Sequence, residues 1–193
     1  MPSSLQKQLL AIKSRYENIE KMRRTLQRVS GDAQRLAKQA IFAAQREEAA
    51  TASSLLHEAR SLLLEGKKMA KGEPRLASEG VWRAALEEYG EALLFTQFAS
   101  HAKKMDWQPD LLDDPSIVLG ALSDAVGELV RLALRAATAR DAKAVAEISE
   151  TAEQIVGFLT SIDLTGALRQ KGDQARSHLR RLEDLRYDMS RTS

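Results

Sequence analysis

Apolar positions recur along this chain at alternating intervals of three and four residues. Near the start they fall at Leu5, Leu9, Ile12, Tyr16, Ile19, Met22 and Leu26. That spacing lays one apolar stripe along a helix of 3.6 residues per turn, with Lys13, Arg15, Arg23, Arg24 and Arg28 mostly off it. Ser3 is placed to cap this helix, and Ser30, Gly31 and Asp32 predict a bend or restart. A second helix is expected from about 32 to 70, ending near Gly66 and Gly72 with Pro74 beyond. A third is expected over roughly 75–104. The segment WQPDLLDDPS, 107–116, reads as a loop. Asp114 followed by Pro115 predicts the start of a fourth helix running to about Arg140. Asp141 can cap a fifth, to about Ile162. Asp163 can cap the last, which carries Leu168, Ala175, Leu179, Leu182 and Met189 on one stripe.

No strand pattern or repeat interrupts these helices, so the pattern predicts an all-α bundle in one domain, residues 1–193. Ile117, Val118, Leu119, Leu122, Val126, Leu129, Val130, Leu132 and Leu134 surround most of the fourth helix, which places it at the centre. Helices this long leave apolar faces that one thin bundle cannot cover, and self-association is expected to bury them.

Composition removes whole classes of function. Aromatics are 5% of the chain, with ten glycines and four prolines, too few turn and strand formers for a β-sandwich or barrel. With no cysteine there is no disulfide framework, thiol chemistry or Cys-type metal site. The first residues lack a continuous apolar run, and the longest apolar runs are about half a bilayer span, so a soluble, cytoplasmic protein without membrane contact is expected. His57, His101 and His178 form no HExxH or Glu-x-x-His pair and read as surface or boundary residues. Phosphate-binding, nucleophile-elbow and dinucleotide motifs are absent from the sequence.

The net charge of +2 conceals basic ends around an acidic middle: residues 1–46 carry +7, residues 169–193 carry +3, and the remainder −8. Basic ends suit an anionic partner, and Lys21, Arg23, Arg24, Arg28, Arg35 and Lys38 are candidates for phosphate contacts. Trp82 and Trp107 read as packing residues. Acid supplies the candidate chemistry. Glu88 and Glu91 are three apart on the third helix, and Asp124 and Glu128 four apart on the fourth, so each pair shares a helical face. If the two helices return antiparallel with these faces together, four carboxylates converge, a donor set suited to Mg²⁺ or Mn²⁺. Spacing alone favours a salt-bridge ladder in which Arg131 and Arg135 neutralise the acids without metal.

The segments RVSGDAQRLAKQAIFAAQR (28–46), LEEYGEALLFTQF (86–98), LGALSDAVGELVRLAL (119–134) and LRQKGDQARSHLRRLEDLRYDMSRTS (168–193) resemble, in order, corresponding helices of the translin family. Within it the likeness is greatest to translin-associated factor X. The resemblance implies about six to seven helices and subunits that assemble into a closed hollow oligomer, commonly an octamer, enclosing RNA or single-stranded DNA. It implies a Mg²⁺-dependent endoribonuclease site whose acids fall on Glu88, Glu91, Asp124 and Glu128, with Asp124 separating the nuclease branch from the binding-only branch. Gly90 departs from the bulkier residue usual between the glutamates. A short cysteine-free chain resembles archaeal or other prokaryotic members, which implies assembly with itself. The expected function is therefore a self-assembling, Mg²⁺- or Mn²⁺-dependent endoribonuclease acting on single-stranded RNA. The alternative is a nucleic-acid-binding module whose acids are structural.

Overall fold

The computed structural model describes residues 4–100 and 105–192. The expected cap Ser3, His101 and the end of the predicted third helix lie outside the described residues. Seven helices are formed among the described residues: α1 (Ser4–Gln45), α2 (Ala49–Gly72), α3 (Pro74–Ala77), α4 (Gly80–Ala99), α5 (Pro115–Thr138), α6 (Ala142–Thr160) and α7 (Gly166–Thr192). No helix is long and apolar enough to cross a membrane among those residues.

The predicted break at 30–32 does not occur. α1 runs straight through Gly31, because a lone helical glycine costs only about 1 kcal/mol while Val29, Ala33, Leu36, Ala37 and Ala40 keep one face buried. The chain turns instead at Arg46–Glu48, where Glu47 takes a left-handed backbone (φ 64°). Nothing in the sequence marks that turn with glycine or proline. α1 and α2 then form an antiparallel hairpin, with the Leu26 side chain reaching Gly66 and Trp82 packed on the same glycine. Two helix starts are capped as predicted: Asp114 accepts from Ser116 N at 2.9 Å, and Asp141 from Ala144 N at 2.9 Å. Such caps contribute about 1 kcal/mol each. Asp163 does not cap α7. Leu164 turns inward against Gly172, and α7 starts at Gly166 with φ 55°.

α5 is central, as its pattern predicts, and packs against α4, α6 and α7; α4 in turn packs against α1 and α2. Its Ile117, Ala121, Val126, Leu129, Val130 and Ala133 are buried. The direction of α5 corrects the expectation. α4 and α5 run parallel: Arg83 bonds Asp114 and Ser116, each at 2.7 Å, Glu87 lies against Gly120, and Gly90 lies against Ala121. The connecting residues 105–114 run back along α4. Gln97 pairs with the backbone of Asp106 at 2.6 and 3.0 Å, the Tyr89 hydroxyl donates to Gln108 at 2.7 Å, and Leu111 and Leu112 are buried. A short loop would force an antiparallel return, but the fifteen residues between Ala99 and Pro115 reach at about 3.3 Å each well beyond the length of α4.

Candidate active site

In this parallel packing Glu87 lies against Gly120 and Gly90 against Ala121, so Glu91 comes nearly level with Asp124, with Glu88 about one turn before and Glu128 about one turn beyond. The two helices approach closely there. A Cβ on Gly90 would stand 2.9 Å from the Ala121 Cβ, so only glycine admits this spacing. The departure at position 90 thus has a packing cause. A Cβ on Gly120 would collide with the Glu87 carboxylate, whose place depends on that glycine.

The four predicted acids are brought within electrostatic range of one another. Glu91 is pushed up to about 8, first by burial and then by the negative charges of Glu88, Asp124 and Glu128, with Lys171 opposing. Burial also raises Glu88, which the Lys38 charge offsets, and raises Glu128, which Arg131 and Gln45 offset. Each of three acids has a partner. Lys38 stands 3.6 Å from Glu88, Gln45 donates to Glu128 at 2.5 Å, and Arg131 lies 3.4 Å from Glu128. Lys171 of α7 bridges Asp124 and Glu87. The salt-bridge alternative is thus present in part, through Arg131.

Among the described residues, no three carboxylate or imidazole groups stand close enough to hold a metal ion as the side chains lie. The donor set nevertheless fits a hard cation: it is all oxygen and partly buried, and burial, reinforced by the neighbouring negative charges, pushes Glu91 up to about 8. Lys171 brings one positive charge to this group, and such a charge is what the acids require.

The sequence did not single out Lys171, Gln45 or Glu87. Lys171 falls inside the LRQKGD segment, yet its reach to α4 and α5 depends on the packing of α7. His178 also approaches the site, over Gly127 at a distance that would leave a Cβ there 3.3 Å from Nε2. Burial, then Arg181 and Arg131, hold its pKa below the usual histidine value, while Asp124 opposes them. His57 is exposed. Trp82 is buried, but Trp107 is 38% exposed and does not pack in the core.

The six basic candidates lie on α1 but are not equivalent. Arg23 pairs with Glu79 at 2.9 Å, Arg28 and Arg35 lie 3.6 and 3.5 Å from Asp32, and Lys38 faces Glu88. Lys21 and Arg24 are exposed and enter no ion pair among the described residues. The first part of α1 stands clear of the bundle, with Leu5, Leu9, Ile12 and Tyr16 between 55 and 66% exposed.

Residues 115–190, which form α5, α6 and most of α7, match the Translin family. No curated protein matches the chain. Solved structures described as AfC3PO and as an AfC3PO–duplex RNA complex are 26% and 25% identical to it, each with a TM-score of 0.85. They cover 96% of this chain, and 98% and 97% of theirs. Apo-NeC3PO, 20% identical, shares the fold with a TM-score of 0.84 over 98% of both chains. Residues 115–190 thus match the Translin family, and nearly the whole chain shares its all-α fold with the C3PO structures.

Proposed function

We propose that this protein is a self-assembling, metal-dependent endoribonuclease that cleaves single-stranded RNA. The observation that carries the reading is the convergence of Glu88, Glu91, Asp124 and Glu128 across the close α4–α5 contact, where Glu91 is pushed up to about 8. Such perturbation marks sites built for chemistry more often than sites built for stability. The AfC3PO–duplex RNA complex, of which this chain covers nearly the whole length, supports RNA as the ligand.

In this reading Glu88, Glu91, Asp124 and Glu128 would be the residues that hold Mg²⁺ or Mn²⁺, beside the Lys171 contact to Asp124. The bound ion would supply an activated water and offset charge at the phosphate undergoing attack. Glu88, raised by burial, is the carboxylate suited to accept a proton from that water. Glu91, pushed up to about 8 by burial and the neighbouring acids, would favour its charged form once a cation is held beside it. Lys38 and Lys171 keep the remaining charge balanced. The exposed stripe of α1 supports assembly with further copies of the chain, and the resemblance to the family suggests eight. Lys21, Arg23, Arg24, Arg28, Arg35 and Lys38 would track the RNA backbone, Lys21 and Arg24 being available for it without breaking an ion pair.

The partners of Glu88, Asp124 and Glu128 within the chain favour a second reading, a nucleic-acid-binding module with structural acids. Calorimetric titration with Mn²⁺ separates the two. The nuclease should bind one or two ions per subunit and lose them in Asp124→Asn. A parent protein that takes up no Mn²⁺ yet binds RNA would support the binding module.

A further inference from the structure

Asp124 and Glu128 do not face only α4. Both also line a cavity of about 330 Å³ between α5 and α7, together with Gly127, Arg131, His178 and Arg181. Its size lies within the range of small-ligand sites. The metal reading makes no use of its basic side.

The donors of this cavity exceed what the chain itself consumes. Asp124 is already bridged by Lys171, and Glu128 accepts from Gln45 at 2.5 Å. Arg131 meets Glu128 at 3.4 Å, but its side chain is 62% exposed, so that pair is weak and leaves most of the guanidinium fork unused. Arg181 enters no ion pair among the described residues, although its charge reaches His178. The His178 Nδ1 is buried without a hydrogen-bond partner, a condition that is ordinarily destabilising. Gly127 keeps the place of the ring open, since a Cβ there would stand 3.3 Å from Nε2. Two planar forks and an imidazole beside them fit an anion with several acceptor oxygens, which describes a phosphodiester better than a carboxylate. Because the acids share the cavity, the anion seated there lies next to them.

We propose that Arg131, Arg181 and His178 form a seat for one backbone phosphate of single-stranded RNA, positioning the strand beside Asp124 and Glu128. The inference rests on the RNA-binding part of the proposed function but not on the metal, so it can be measured in chelator.

The test is the salt dependence of binding of a fluorescein-labelled oligouridylate in EDTA, by anisotropy. Each phosphate contact on a single strand contributes about −0.7 to the slope of log K against log salt. Arg181→Gln should reduce the slope by about 0.7, and Arg131→Gln with Arg181→Gln by about 1.4. Arg181→Lys should preserve the slope, since it retains the charge. Arg140→Gln, beyond the end of α5, is the control for net charge alone. A slope unchanged in Arg181→Gln, an equal change in Arg140→Gln, or a parent that binds no RNA overturns the seat. Mn²⁺-dependent cleavage that persists while the seat fails leaves the nuclease reading standing. A confirmed seat in a protein that cleaves nothing removes the nuclease reading and keeps the seat.

Discussion

Replacing Glu91 with Gln isolates the electrostatic strain at the centre of the site. The folded carboxyl is pushed from an ordinary 4.5 to about 8. A group raised in this way binds more protons folded than unfolded between those two values. Stability therefore falls as pH rises through that window and levels off above it. At about 1.4 kcal/mol per pKa unit the full gap converts to about 5 kcal/mol, and partial exposure and relaxation reduce the expected effect to about 2–3 kcal/mol. Gln is close in size and carries no charge at any pH. In EDTA, and at fixed protein concentration, urea unfolding should show the parent losing stability from pH 5 to 8.5. Glu91→Gln should match the parent near pH 5, exceed it by about 2–3 kcal/mol at pH 8.5, and show a shallower slope. The slope should not vanish, because Glu88 and Glu128 are raised too. Parallel pH profiles for parent and variant would refute the claim that burial beside the other three acids raises Glu91.

Gly90→Ala should destabilise the subunit by about 1–2 kcal/mol, the overpacking against Ala121 exceeding the gain in helix propensity; chemical denaturation measures it, and a stabilised variant would show that α4 and α5 are not in close contact there. Replacing Leu5, Leu9 and Ile12 together with Ser should lower the assembled mass in multi-angle light scattering without loss of helicity, since these residues are exposed within the subunit; an unchanged mass would place the assembly face elsewhere. Lys21→Glu with Arg24→Glu should weaken RNA binding alike for all sequences, by tenfold or more at low salt, in anisotropy titrations; unchanged binding would remove α1 from the interface.

The fold was legible where local chemistry decides it. The stripes on α5 and α7 and the caps at Asp114 and Asp141 follow from spacing and side-chain type alone. The turn at Arg46–Glu48 was not, because Glu47 adopts its left-handed backbone under tertiary constraint and the residue type does not announce it. The parallel run of α4 and α5 was hidden in a connection long enough for either direction, and is set by remote contacts such as Arg83 with Asp114 and Tyr89 with Gln108. Helical spacing was enough to pair Glu88 with Glu91 and Asp124 with Glu128, and the register of packing brings the pairs together. Lys171, Gln45 and His178 could not be read, since each reaches the acids from a helix that is distant in sequence.

Metal-dependent cutting at the four acids is measured by cleavage of an end-labelled single-stranded RNA, run on the parent with Mg²⁺ or Mn²⁺, on the parent with EDTA, and on Asp124→Asn with metal. Asn preserves the size of Asp124 and its hydrogen bonding but removes the charge, while Lys171 keeps Glu87 as a partner. Assembly and RNA affinity should therefore persist while cutting stops. Internal cleavage is expected only in the parent with metal; cleavage that survives EDTA, or that Asp124→Asn performs at the parent's rate, would contradict a metal-dependent site at Asp124.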